Sequence, residues 1–169
     1  TTWLKPYWWR TPEAMTTATP LATMKTWFSS NACASASDVP SLCDMFIGNM
    51  PGCIGEVSAV ALLLGGVYLL LRKVITWHIP VSFIATAFVY SLIAGGAPAL
   101  TQILTGGLLI GAIFMATDYV TSPTTAKGKL IFGFGCGLLC MLIRQFGGYP
   151  EGCSFAILIM NSVCPLINR

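Results

Sequence analysis

Beyond Ile54 the chain alternates long apolar stretches with short polar breaks, and little of its charge falls inside the stretches. Five stretches are legible. They run from Glu56 to Leu71, stopping at Arg72-Lys73; from Pro80 to Ala97, stopping at Gly95-Gly96-Ala97-Pro98; from Leu100 to Thr117, stopping at Asp118; from Leu130 to Phe146; and from Gly152 to Ile167. A helix that crosses the hydrocarbon of a bilayer needs about 20 residues. Five crossings fit into residues 54–169 only if every loop is short, so an all-α, polytopic membrane bundle of about five transmembrane helices running up and down is expected. Composition agrees: hydrophobic residues make up 55% of the chain and charged residues only 9%, against about 25% charged in a soluble domain. A surface so poor in charge needs lipid as its solvent.

Residues 1–53 read differently. They hold Lys5, Arg10, Glu13, Lys25, Asp38 and Asp44 among Thr, Ser, Ala and Pro, with no run of about 18 apolar residues that would span a bilayer. Trp3, Tyr7, Trp8, Trp9 and Trp27 are rings of the kind that settle at headgroup level. The division expected is an extramembrane segment, 1–53, lying along the bilayer, followed by a transmembrane helix bundle, 54–169. A short helix is expected within Asp38 to Asn49, with Asp38 as N-cap and Pro40 near the first turn. The chain starts at Thr1 rather than Met. With five spans and no visible internal repeat, it looks like one half of a larger membrane protein of the two-halved kind.

Positive charge orients the bundle. If residues 1–53 lie on the outer side of the cell membrane, the inner loops hold Arg72, Lys73, Lys127 and Lys129 and the C-terminus holds Arg169. The short outer loops then hold only Arg144, at the end of the fourth span. That asymmetry follows the positive-inside rule.

The net charge of +3 is scattered, with no Lys/Arg cluster to track phosphates, which excludes nucleic acid as a partner. No CxxC pair, Walker-type loop, nucleophile–His–acid set or paired carboxylates occurs. Cys136 and Cys140, four apart on one helix face, read as small residues filling a glycine-rich helix interface, with a metal or cluster as the alternative. His78, beside Trp77 at a span edge, reads as an interfacial anchor. The span glycines, among them Gly65, Gly66, Gly106, Gly107, Gly111, Gly133, Gly135 and Gly137, let helices approach closely or let a backbone approach a flat ligand, and packing is the default. Asp118 sits at a helix C-terminal end, where the dipole disfavours an acid. It is therefore an ion-coupling candidate, since ionisable groups at spans are costly, and Glu151 is a second. Glu56 and Glu151 open the first and fifth spans after Gly/Pro-rich loops, and acids are favoured there by the helix dipole alone. The backbone N–H groups of those two helix starts, near Gly55 and Gly152, offer a meeting place for an anion.

Three long motifs carry a resemblance. Leu142-Ile143-Arg144-Gln145-Phe146-Gly147-Gly148-Tyr149-Pro150-Glu151-Gly152, Gly106-Gly107-Leu108-Leu109-Ile110-Gly111-Ala112-Ile113-Phe114-Met115-Ala116-Thr117-Asp118, and Gly48-Asn49-Met50-Pro51-Gly52 with Ile54-Gly55-Glu56-Val57-Ser58 closely resemble the RnfD components of Rnf complexes. More loosely they resemble the related membrane components of sodium-translocating NADH:quinone reductases. The resemblance covers the whole chain. It implies a membrane-embedded, flavin-carrying electron-transfer subunit of an oxidoreductase that couples ferredoxin/NAD redox chemistry to Na+ or H+ movement. In that family an Asp-x-x-(Ser/Thr)-Gly-Ala-Thr loop carries FMN through a phosphoester to its last Thr. The matching stretch here is Glu13-Ala14-Met15-Thr16-Thr17-Ala18-Thr19, with Thr19 as acceptor and Glu13, Thr16, Thr17 and Ala18 around it. Glu13 stands in place of Asp and Thr17 in place of Gly. Near the end, Asn168 stands where family members tend to carry Asp. The resemblance further implies a second, non-covalent flavin, with riboflavin as the candidate. The partners it implies are the other subunits of the complex, including a second FMN-carrying subunit, and a flavin transferase. A cofactor-free transporter bundle and a scaffold subunit are the competing readings.

Overall fold

The computed structural model describes residues 42–48, 58–94, 98–147 and 152–168. The expected flavin loop from Glu13 to Thr19, with Gly55, Glu56 and Glu151, lies outside the described residues. What is described is all helix, with no strand.

A short helix, α1 (Leu42–Ile47), falls within the expected Asp38–Asn49 stretch and ends at Gly48, whose φ of 100° suits only glycine at a helix C-terminus. Helix α2 (Ala59–Leu71) is opened by Ser58, whose hydroxyl accepts the N–H of Ala61 at 3.3 Å. A tight turn through Arg72 and Lys73 leads to α3 (His78–Ala94). Trp77 stacks on His78 at this turn, with ring centroids 4.2 Å apart. Helix α4 (Ala99–Leu104) is followed after a break by α5 (Leu108–Ile110), which continues as a π-helical turn over Gly111–Met115. Helix α6 (Ala126–Phe146) starts at Thr125, whose hydroxyl accepts the N–H of Gly128 at 3.1 Å, and α7 (Cys153–Ile167) closes the bundle. At 21 residues, α6 is the one described helix long and apolar enough by itself to cross a membrane, since its rise of about 1.5 Å per residue matches a hydrocarbon core of about 30 Å.

The core is built on α6. Against α3 its contacts rise in step: Ser82 and Ile79 meet Gly133, Phe83 and Thr86 meet Gly137, and Tyr90 bonds to Gln145, so the two helices are parallel. Against α7 they run in opposite order, with Gly128 at Ile167, Gly135 at Met160 and Ile143 at Gly152, so that pair is antiparallel. Two parallel neighbours require a return pass between them, and α4 with α5 is that pass. It begins beside the C-terminal end of α6, where Arg144 meets Gln102, and the chain after it leads through Pro123 to the start of α6.

Two expectations are corrected. The third stretch, expected as one span from Leu100 to Thr117, is two helical pieces separated at Thr105-Gly106-Gly107. A positive φ of 69° at Gly106 turns the backbone out of the helix. Arg144, expected as an outer-loop charge, sits in the last turn of α6 and is buried. The cause of the second correction lies in the first: a broken helix leaves carbonyls that need a donor.

The glycine expectation holds for packing. A Cβ on Gly133 would lie 2.8 Å from the Ile79 carbonyl oxygen, so α3 and α6 touch backbone to backbone. The outward faces are apolar: Leu64, Leu71, Ile93, Phe134, Leu158 and Leu166 are all exposed. So many large apolar side chains on the outside fit lipid better than water.

Candidate functional site

The break after Leu104 is the chemically richest point of the described bundle. Thr105 is extended (φ −100°, ψ 144°), so the helix stops there and the carbonyls of its last turn lose their i+4 donors. In hydrocarbon such groups must be satisfied within the protein. The Thr105 N–H and hydroxyl both donate to the Thr101 carbonyl, at 3.0 and 2.6 Å. Arg144 supplies two more donors: Nη1 donates to the Gln102 carbonyl at 2.7 Å and Nη2 to the Thr105 carbonyl at 3.3 Å.

The site is sealed. Thr101, Gln102, Thr105 and Arg144 are all buried, Arg144 to 8% exposure. A guanidinium at a helix C-terminus sits where the backbone dipole favours a cation, and its planar fork fits two carbonyls at once. Its Nε, also buried, has no partner among the described residues.

One turn beyond the break, the π-helical segment brings Gly111 against Cys153 at the start of α7. Cys136 and Cys140 stand on one face of α6, and Cys140 meets Cys153 across the α6–α7 interface. All three thiols are buried, as the interface-filling reading expects. Among the described residues no group of three His, Cys, Asp or Glu stands where it would hold a metal ion.

The other sequence candidates fall elsewhere. Gly152 precedes α7 and is buried; a Cβ there would strike the Ile143 side chain at 2.5 Å, so packing by itself accounts for the glycine. Asp118 lies past the last helical turn, exposed, and its Oδ2 accepts the Thr121 hydroxyl at 3.2 Å. This local turn partner accompanies an acid that the helix dipole would otherwise disfavour. Asn168 accepts the N–H of Thr124 through Oδ1 at 3.1 Å, tying the end of α7 to the start of α6. Arg144 was missed as a site residue, although a signal for it was present: an ionisable side chain in an apolar span is a functional candidate by default, and this one closes the uncharged run from Leu130 to Ile143 within α6.

Fold and site together define a polytopic membrane helix bundle with one discontinuous helix pinned from inside by a buried arginine. The chain belongs to the NQR2, RnfD, RnfE family, whose model matches residues 1–169. It is similar to the D subunit of the Na(+)-translocating ferredoxin:NAD(+) oxidoreductase complex of Acetobacterium woodii, 47% identical over 159 residues, which are 93% of this chain and 48% of that protein. It is 44% identical over 164 residues to the D subunit of the proton-translocating ferredoxin:NAD(+) oxidoreductase complex of Clostridium ljungdahlii, covering 93% of this chain and 50% of that protein. It is 42% identical over 163 residues to the D subunit of the ion-translocating oxidoreductase complex of Citrobacter koseri, covering 92% and 45%. The chain thus spans about half the length of the relatives it matches.

Proposed function

We propose that this chain forms part of a membrane-embedded subunit of an ion-translocating oxidoreductase, one that carries FMN and passes electrons while the complex moves Na+ or H+. The observation that carries the reading is the family match over residues 1–169, to relatives named as the D subunits of such complexes. The helix bundle with its apolar exterior supports the membrane setting. The ion stays open between Na+ and H+, because two of the relatives above are named for different ions.

Thr19 is the proposed site of covalent FMN, joined through a phosphoester, with Glu13, Thr16, Thr17 and Ala18 as its recognition surroundings. Bound FMN supplies the electron-carrying chemistry; the chain attaches it, orients it and excludes water. The helix starts at Gly55-Glu56 and Gly152 are the proposed neighbours of the phosphate. The outer face is the proposed location of residues 1–53. Proposed partners are the other subunits of the complex, a second FMN-carrying subunit among them, together with a flavin transferase. Riboflavin is the proposed second, non-covalent flavin.

In-gel flavin fluorescence of the denatured subunit, purified with the transferase present, tests the reading. A fluorescent band of this chain is expected. A dark band, with the partner subunit fluorescent in the same lane, would leave the cofactor-free transporter reading, which the discontinuous helix favours.

A further inference from the structure

We infer that the oxygens at the helix break, the Gln102 and Thr105 carbonyls with the Thr105 hydroxyl, form a monovalent-cation site, and that the Arg144 guanidinium fills it as a tethered cation. The inference deepens the reading of the chain as part of an ion-moving subunit.

Four observations carry it. The ligand set is oxygen on an unwound turn at the C-terminal end of a half-helix, the arrangement by which discontinuous helices bind alkali ions at membrane depth. The structure already holds a single positive charge on those oxygens, through Nη1 at 2.7 Å and Nη2 at 3.3 Å. The Thr105 hydroxyl donates to the Thr101 carbonyl and keeps lone pairs free to accept a cation. Finally, the buried Nε of Arg144 finds no partner among the described residues.

Charge sets the stoichiometry. The three proposed ligands are neutral and suit one positive charge. Two cations on the same carbonyls would repel strongly at low dielectric, so Arg144 and a mobile cation exclude each other. Occupancy by a mobile ion therefore requires the side chain to withdraw along α6, which links ion binding to the position of one residue in the last turn of that helix. Arg144→Lys keeps a charge in place but lacks the fork that bridges both carbonyls.

The test is equilibrium binding of radiolabelled sodium to the assembled complex containing the full-length subunit, without redox turnover, so that neither a missing flavin nor failed coupling affects the readout. Arg144→Gln is expected to bind one more sodium ion per subunit than wild type. Adding Thr105→Val should weaken that extra binding by about tenfold, the effect of losing one good ligand. Arg144→Lys should show no extra ion. Equal sodium binding in assembled wild type and R144Q overturns the inference. If R144Q assembles poorly, purification in sodium chloride is compared with choline chloride. Recovery in sodium only is the expected result, whereas equal loss in both salts assigns Arg144 a purely structural role and overturns it as well.

Discussion

Gly137 of α6 lies against the Phe83 carbonyl oxygen of α3, so close that a Cβ added to it would sit 2.7 Å from that oxygen. Gly133, one turn earlier, has the same relation to Ile79. The two contacts fix the distance between the principal pair of helices, because neither obstacle is a side chain that can turn aside.

Gly137→Ala should therefore destabilise the subunit by about 1–3 kcal/mol, the usual cost of overpacking. Gly135→Ala is the control: its Cβ would meet the flexible end of Met160 at 2.5 Å, which can swing away. Thermal unfolding of the detergent-solubilised complex measures both. Equal losses would show that backbone contact does not set the α3–α6 spacing.

Asn168 offers a second stability test. Its Oδ1 accepts the Thr124 N–H at 3.1 Å. Asn168→Leu removes the acceptor and should cost about 0.5–1.5 kcal/mol, while Asn168→Asp keeps the acceptor but sets a negative charge at the C-terminal end of α7, where the helix dipole should cost about 0.3–1 kcal/mol. The same unfolding assay decides, and a Leu variant as stable as wild type would mean that water replaces the bond.

For Asp118 the expected outcome is functional rather than structural. The residue is exposed, so Asp118→Asn should change stability by no more than about 0.5 kcal/mol. Because Asp118 is an ion-coupling candidate, its loss should lower ion uptake into vesicles while the amount of subunit does not fall. Normal uptake at normal abundance would leave Asp118 with its turn contact to Thr121 alone.

Sidedness is tested at Lys127, which lies exposed in the first turn of α6. A Lys127→Cys variant without other cysteines should resist an impermeant maleimide applied to intact cells and react once the cells are opened. Labelling from outside would reverse the proposed orientation.

Flavin attachment is tested at the acceptor. A phosphoester needs a hydroxyl, so Thr19→Ala should abolish the modification of the Arg10–Lys25 peptide, while Thr19→Ser should retain part of it, as read by mass spectrometry. An unmodified wild-type peptide, from material matured with the transferase, would show that Glu13 and Thr17 prevent recognition.

Much of the architecture was legible in the order of residues. Stretches of apolar side chains broken by Arg72-Lys73, Gly95 to Pro98 and Asp118 set the succession of helices, because burial of apolar surface in lipid depends on local composition and length. The placement of glycine at Gly133 and Gly137 marked an interface for the same local reason. Three things were decided only by the tertiary structure. Which helix those glycines face depends on α3 and α6 running parallel, which in turn depends on the return pass between them. The split of the third stretch at Gly106 is stable because a donor from another helix reaches its freed carbonyls. Arg144 lies 39 residues beyond Thr105 in the chain, and no pattern of spacing states that the two meet. A charge read by itself takes the place that hydrophobicity assigns it, outside the membrane. It is the unsatisfied backbone of a distant break that draws this one inside.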